Sequence, residues 1–172
     1  KKMEYGMKIG ATNHICGIAM GVEWGTNFKN VDVGNNAAKM TALLARQTDV
    51  INISYALAKD YFKTGEFVPL VLLGDEKNPL LSNVPLASDS GMKNLDFGKF
   101  FWIGMHPNTP DEIVNIFANA VKKATDDPEY KAKMAANFLT VKYMGPKESK
   151  DYALKFYKET MEIYKDAFVK QQ

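Results

Sequence analysis

The chain has 172 residues, 46% of them hydrophobic and 24% charged, and 22 basic against 20 acidic residues leave a net charge of +2. This is the composition of a soluble globular chain, long enough for one ordinary domain or two small lobes. The charges are spread along the sequence, so no basic block points to nucleic acid or an anionic membrane surface; the single Cys16 excludes an internal disulfide framework, and no apolar run reaches the ~18 residues of a membrane span.

No signal peptide is visible at the start, where Lys1-Lys2 leads into an alternating stretch; the chain opens on an apparent strand, as a piece of something longer would. Met3, Tyr5, Met7 and Ile9 alternate with Lys2, Glu4 and Lys8, the period of a half-buried strand. Gly10 ends it, Thr12 or Asn13 can cap a helix, and Ile15, Ile18, Ala19 and Val22 recur on one helical face until Gly25. The unit repeats as a strand over 29–33, the turn Gly34-Asn35-Asn36, and a helix from Ala37 with Met40, Leu43 and Leu44 on one face. A third round has a β-rich run over 49–54 and a helix over 55–63 closed by Gly65. The apolar run 68–73 predicts a further strand with Pro69 near its start, because proline donates no ladder hydrogen bond. Alternation of β and α at this spacing predicts an α/β fold, a parallel sheet with helices on its faces.

Residues 74–96 read as loop, with Asn78-Pro79, Asn83-Val84-Pro85 and Ser88-Asp89-Ser90-Gly91 as turn signals. An aromatic run, Phe100-Phe101-Trp102-Ile103-Gly104-Met105, then leads to a helix start in which Thr109 is the N-cap, Pro110 the first position and Glu112 follows three after the cap. Ile113, Val114, Ile116, Phe117, Ala120, Val121 and Ala124 form the stripe expected to be buried. Asp127-Pro128-Glu129 starts another helix, 138–141 reads as a short strand or an extended link, and Gly145-Pro146 breaks the chain. A last helix over 147–169 carries Tyr152, Leu154, Phe156, Tyr157, Met161, Tyr164 and Phe168, which need a partner surface to cover them.

His14-Ile15-Cys16 invites a metal or thiol reading, but His14 and His106 are the only histidines and no CxxC, HExxH or carboxylate cluster completes a ligand set. Cys16 reads as a small buried residue, and Trp24, Phe101 and Trp102 as core. No nucleophile comes with a base and an orienter, so neither an enzyme nor a cofactor is expected. Three strand-to-helix loops share a different chemistry. Gly10-Ala11-Thr12-Asn13-His14, Gly34-Asn35-Asn36-Ala37 and Ser54-Tyr55 place backbone N–H groups beside short hydroxyl or amide side chains, which suits a small anion, and in a parallel sheet they lie at one edge, where open α/β folds bind ligands. Thr12, Asn13, Asn36 and Ser54 equally serve as helix caps, which any helix start requires.

The order and spacing of several motifs resemble those of a known family. These are Gly10 to His14 after an opening strand, Met40-Thr41-Ala42-Leu43-Leu44-Ala45 running through Arg46-Gln47-Thr48 to Asp49-Val50, Asn78-Pro79-Leu80-Leu81-Ser82-Asn83-Val84-Pro85, and Phe101-Trp102-Ile103-Gly104-Met105-His106-Pro107-Asn108-Thr109-Pro110. The family is that of the solute-binding receptors of tripartite tricarboxylate transporters, Bug-type proteins of the type II periplasmic binding class. The resemblance implies a two-lobed, extracytoplasmic protein, exported by a signal peptide absent from this chain, that closes on a small organic acid and delivers it to the transporter's membrane permease subunits without chemistry. By position the ligand-gripping loops are the three just described. The family usually has serine where this chain has Ala11, and Tyr-Lys-Gly where it has Val33-Gly34-Asn35. It also carries a long stretch before this start that builds most of the first lobe. Residues 1–97 are therefore expected to be the second lobe. Residues 98–172 are expected to hold a re-entering strand over 101–105 and the C-terminal helices of an incomplete first lobe, whose uncovered surface favours association between copies. The competing expectation is a truncated, non-transporting paralogue acting as a protein interaction module.

Overall fold

Three short parallel strands organise the first part of the chain. The structure, a computed structural model, describes residues 2–74, 77, 79–92, 100–137 and 139–169, with side chains through 167. β1 (Glu4–Met7) lies between β2 (Lys29–Asp32) and β3 (Val50–Ile51), in the order β2-β1-β3. Tyr5 stands opposite Asn30 and Val50, and Gly6 opposite Val31 and Ile51. Parallel neighbours need crossover connections, and α1 (Thr12–Glu23) and α2 (Asn36–Leu44) supply them; α3 (Tyr55–Thr64) follows β3. The α/β reading is thus borne out, and Gly65 caps α3 in the left-handed conformation as expected.

The chain forms two compact units, Lys1–Lys99 with Tyr164–Gln172, and Phe100–Ile163. In the first, Tyr5 and Met7 of β1 pack with Ile18, Ala19 and Met20 of α1 and with Phe28, Ala87, Met92 and Tyr164. Five consecutive α1 residues, from Cys16 to Met20, are buried, so the helix is covered on all sides there and not along a single stripe. Val22, expected inside, is exposed, as are Met3 and Ile9, which lie beyond the paired part of β1. Trp24 is exposed as well, with its ring edge toward Phe28.

Two expectations about buried faces fail in this unit. On α2 the buried residues are Lys39 and Ala42, while Leu44 is exposed. Among the described residues the run 68–73 joins no sheet, and only Leu72 forms a bridge, with Leu86, through Leu72 N–H to the Pro85 carbonyl and Ala87 N–H to the Leu72 carbonyl. Val68 and Leu70 point to solvent, whereas Val71 and Leu73 pack on the core. Proline at 69 removes one ladder donor, and the stretch 85–87 takes both backbone groups of Leu72. Of the loop motifs over 74–96, Asn78 and residues 93–96 lie outside the described residues; Pro79–Leu81 and Ser88–Ser90 are single 3-10 turns.

Thr48 is buried against Gly6, and its hydroxyl has no hydrogen-bond partner among the described residues. A buried hydroxyl without a partner is destabilising, and valine has nearly the same shape. Thr48→Val is therefore expected to raise stability by about 1 kcal/mol in urea unfolding; a loss of similar size would show that the hydroxyl is bonded in solution.

The second unit contains α4 (Asp111–Asp126), α5 (Pro128–Ala136) and most of α6 (Pro146–Val169), whose end from Tyr164 belongs to the first unit. α4 starts one residue later than its motif predicts. Pro110 is the N-cap, and its carbonyl accepts from Val114 N–H, while Thr109 closes a turn onto the His106 carbonyl. Asp111 and Glu112 still place negative charge at the positive end of the helix dipole. Asp127 caps α5 by accepting from Tyr130 N–H at 2.8 Å, with Pro128 in first position as predicted.

Residues 101–105 form no strand, and Phe101, Trp102 and Ile103 are exposed. A strand needs neighbours for its backbone groups, and no strand is paired to residues 102–105 among the described residues. Its aromatics instead meet α6: the Phe100 ring lies 4.9 Å from Tyr152 and 6.4 Å from Phe156, and Trp102 lies 6.4 Å from Tyr152. Residues 139–141 form no strand, with Leu139 N–H bonded back to the Met134 carbonyl; Phe138 lies outside the described residues, and Tyr143 Oη ties the end of the link to the Ala118 carbonyl at 3.1 Å. The α4 stripe is not buried: Ile113, Ile116 and Phe117 are exposed, and α4 has no buried residue.

Candidate functional site

Because the three strands are parallel, their carboxyl ends at Met7, Asp32 and Ile51 lie on one edge of the sheet. The loops leaving that edge contain every residue singled out in the sequence. Gly10 and Gly34 take positive φ, 75° and 88°, in the turns that lead into α1 and α2.

The first loop differs from expectation in its cap. Ala11, not Thr12 or Asn13, is the N-cap of α1 and makes no side-chain cap bond. Asn13 turns its side chain back so that Oδ1 accepts from Lys8 N–H at 3.1 Å, and its carbonyl accepts from the buried Tyr5 hydroxyl at 2.8 Å. His14 Nδ1 accepts from Gly10 N–H at 3.4 Å. Thr12, Asn13 and His14 therefore lie on one turn, but two of the three side chains hold the loop's own backbone. In the second loop Asn35 is the N-cap and accepts from Ala38 N–H at 3.0 Å, so Asn36 and Ala37 become the first helical residues. In the third, Ser54 is the N-cap of α3 without a side-chain bond. Among the described residues, the N–H groups of Thr12, Asn13, Asn36, Ala37, Ile53 and Ser54 have no protein acceptor. Helix starts with free N–H groups carry partial positive charge and favour anions.

Three residues at this edge escaped the sequence reading. Asp32 joins two loops, its Oδ1 accepting from Gly34 N–H at 3.0 Å and its Oδ2 from Ile9 N–H at 3.5 Å. The Asp-x-Gly spacing, a turn in which aspartate bonds the backbone two residues on, was the available signal. Lys39 is only 1% exposed, and its Nζ donates to the Asn52 carbonyl at 2.6 Å. Among the described residues no carboxylate pairs with it. Burial holds its pKa below the usual lysine value, with the neighbouring Cys16 acting in the opposite direction. No local pattern marks Lys39 or Asn52.

Cys16 is buried, and burial pushes its thiol up to about 12, against a smaller downward pull from Lys39. The folded state thus holds the thiol proton more tightly than the unfolded chain. Its contribution to stability is complete below the ordinary thiol range near ~8.5 and declines as the pH rises from there toward about 12. At pH 8 the native protein is expected to resist Ellman's reagent, and the same protein in guanidinium to react at once; rapid labelling of native protein would contradict the burial. Among the described residues no group of three His, Cys, Asp or Glu side chains could hold a metal ion.

The parallel sheet with helices on its flanks is the architecture of the type II periplasmic binding proteins, and two solved structures share it. The R. palustris protein Rpa4515 with adipate matches with a TM-score of 0.83 at 18% identity, over 97% of this chain and 56% of that one. A TctC solute binding protein from Polaromonas, solved without ligand, matches at 0.67 and 19% identity, over 98% of this chain and 57% of that one. The chain matches the tripartite tricarboxylate transporter family receptor, TctC, over residues 1–169, and it belongs to that family. A UPF0065 protein of Bordetella pertussis is 26% identical over 132 residues, 75% of this chain and 40% of the relative. The chain thus spans about two fifths of the length of that curated relative and just over half of each solved one.

Proposed function

We propose that the chain is the ligand-gripping part of an extracytoplasmic receptor that takes up a small organic carboxylate and hands it to the permease subunits of a tripartite tricarboxylate-type transporter. The observation that carries the ligand class is the row of three helix starts at one sheet edge, where six N–H groups beside Thr12, Asn36 and Ser54 have no acceptor among the described residues. A carboxylate accepts several such bonds and complements the helix dipoles. Family membership and the adipate named with the R. palustris neighbour support the same ligand class. In this reading Gly10 to His14, Gly34 to Ala37, and Ser54-Tyr55 line the site, and residues 1–97 are the second lobe of a two-lobed receptor. Residues 98–172 are assigned to the first lobe, except that the end of α6 from Tyr164 packs with residues 1–99.

Thermal unfolding of the protein against a panel of mono-, di- and tricarboxylates that includes adipate tests the ligand class. A ligand at one hundred times its Kd stabilises by about 2.7 kcal/mol, a readily measured rise in Tm. No shift with any acid would sink the proposal.

The exposed α4 stripe favours a second reading, in which the chain associates through Ile113, Ile116 and Phe117. Light scattering after size exclusion separates the two. Association that is lost in an Ile116→Lys variant, without any carboxylate response, is the result expected of an interaction module.

A further inference from the structure

The buried Lys39 sits beneath the proposed ligand edge, one turn into α2 after Asn35, and its hydrogen bond crosses to the chain leaving β3. The acceptor is the carbonyl of Asn52. The peptide between Asn52 and Ile53 is trans, since the described residues contain no cis bond, so its N–H points opposite to its C=O. A carbonyl held by Lys39 on the inner side therefore turns the Ile53 N–H away from the ammonium. That N–H has no protein acceptor among the described residues, and Ile53 is half-exposed immediately before the Ser54 cap of α3.

Resting on the carboxylate reading above, we infer that Lys39 is a positioning residue for the ligand: it anchors and polarises the Asn52–Ile53 peptide so that the Ile53 N–H becomes a strong, fixed donor to a ligand carboxylate. Hydrogen bonds in series strengthen one another, most of all when one end is charged and the surroundings exclude water. Lys39 is sealed from solvent, so it acts through the peptide and never by direct contact. An anion gains from this polarised donor, whereas a neutral ligand of the same shape gains little.

The test pairs adipate with its neutral analogue adipamide, using the full chain. Wild-type protein is expected to bind adipate, and its Ile53 amide proton is expected to move downfield on saturation. Lys39→Met is expected to weaken adipate about tenfold, the scale of one charge-assisted hydrogen bond, while leaving adipamide within about twofold, and Lys39→Arg to keep adipate within about threefold. A purely structural lysine would weaken both ligands alike. Equal loss for adipate and adipamide, or no loss for either, overturns the role of Lys39 and leaves the receptor reading standing. Failure of wild-type protein to bind adipate or any other acid of the panel overturns that reading and this inference together. If Lys39→Met does not fold, the wild-type Ile53 resonance decides: a proton unmoved by adipate excludes the relay.

Discussion

Tyr5→Ala is expected to destabilise the first unit by about 3–5 kcal/mol, the range for deleting a large buried aromatic side chain. Tyr5 is fully buried at the centre of the sheet, its ring 5.8 Å from Phe28, and it closes the core that Met7, Ile18 and Met20 complete. A domain of this size is stable by only about 5–15 kcal/mol, so the variant would lose a large share of its margin. Tyr5→Phe separates packing from hydrogen bonding. It removes only the hydroxyl that donates to the Asn13 carbonyl at 2.8 Å, with an expected loss of about 1 kcal/mol. Urea unfolding followed by far-UV circular dichroism measures both, and an alanine variant within 1 kcal/mol of wild type would show that Tyr5 is not central. The same bond ties the core to the first loop, so Tyr5→Phe also tests whether core packing holds the Gly10 to His14 turn in shape.

Gly17→Ala carries the second large effect, and its sign opposes helix propensity. Alanine is the better helix former by about 1 kcal/mol, which alone predicts stabilisation. Position 17, however, is where α1 passes over Tyr5, and an added Cβ would stand 2.4 Å from Cε1 and 2.6 Å from Cδ1 of its ring. The ring is held by Phe28 on one side and by its own hydroxyl bond, so either the helix or the ring must shift. Overpacking of this kind costs about 1–3 kcal/mol, and a net loss of about 2 kcal/mol is expected. Combining Gly17→Ala with Tyr5→Leu should recover part of that loss, because the two sites share one clash. A Gly17→Ala variant more stable than wild type would mean that the ring yields freely.

Both effects come from a contact between β1 and α1 that residue periodicity only half discloses. Alternation in residues 3–9 and the helical face from Ile15 to Val22 were enough to place a strand and a helix. Their contact point at Gly17 was not legible, because glycine in a helix reads locally as a weak helix former and nothing more. The three loops were legible for a related reason: helix starts and strand ends have local signatures, and parallel pairing then brings them to one edge. What each side chain does there was less so. Asn35 caps α2 in place of the expected Asn36, Asn13 folds back onto Lys8, and Ala11 takes the cap position without a side chain able to fill it.

The sequence by itself determined the βα alternation, the helix ends at Gly65 and Asp127, the proline at the start of α5 and the family to which the chain belongs. These depend on backbone dihedral preferences and neighbouring residues, or on motif order, all of which are written locally. Only the tertiary structure decided that Lys39 is buried on α2 while Leu44 is not, and that Asp32 links two loops. It also decided that Leu72 of the run 68–73 bridges to Leu86, and that the apolar stripe of α4 faces solvent. Each of these turns on a partner distant in sequence. A lysine is buried only where a carbonyl such as that of Asn52 waits for it, and an apolar stripe is buried only where another surface covers it.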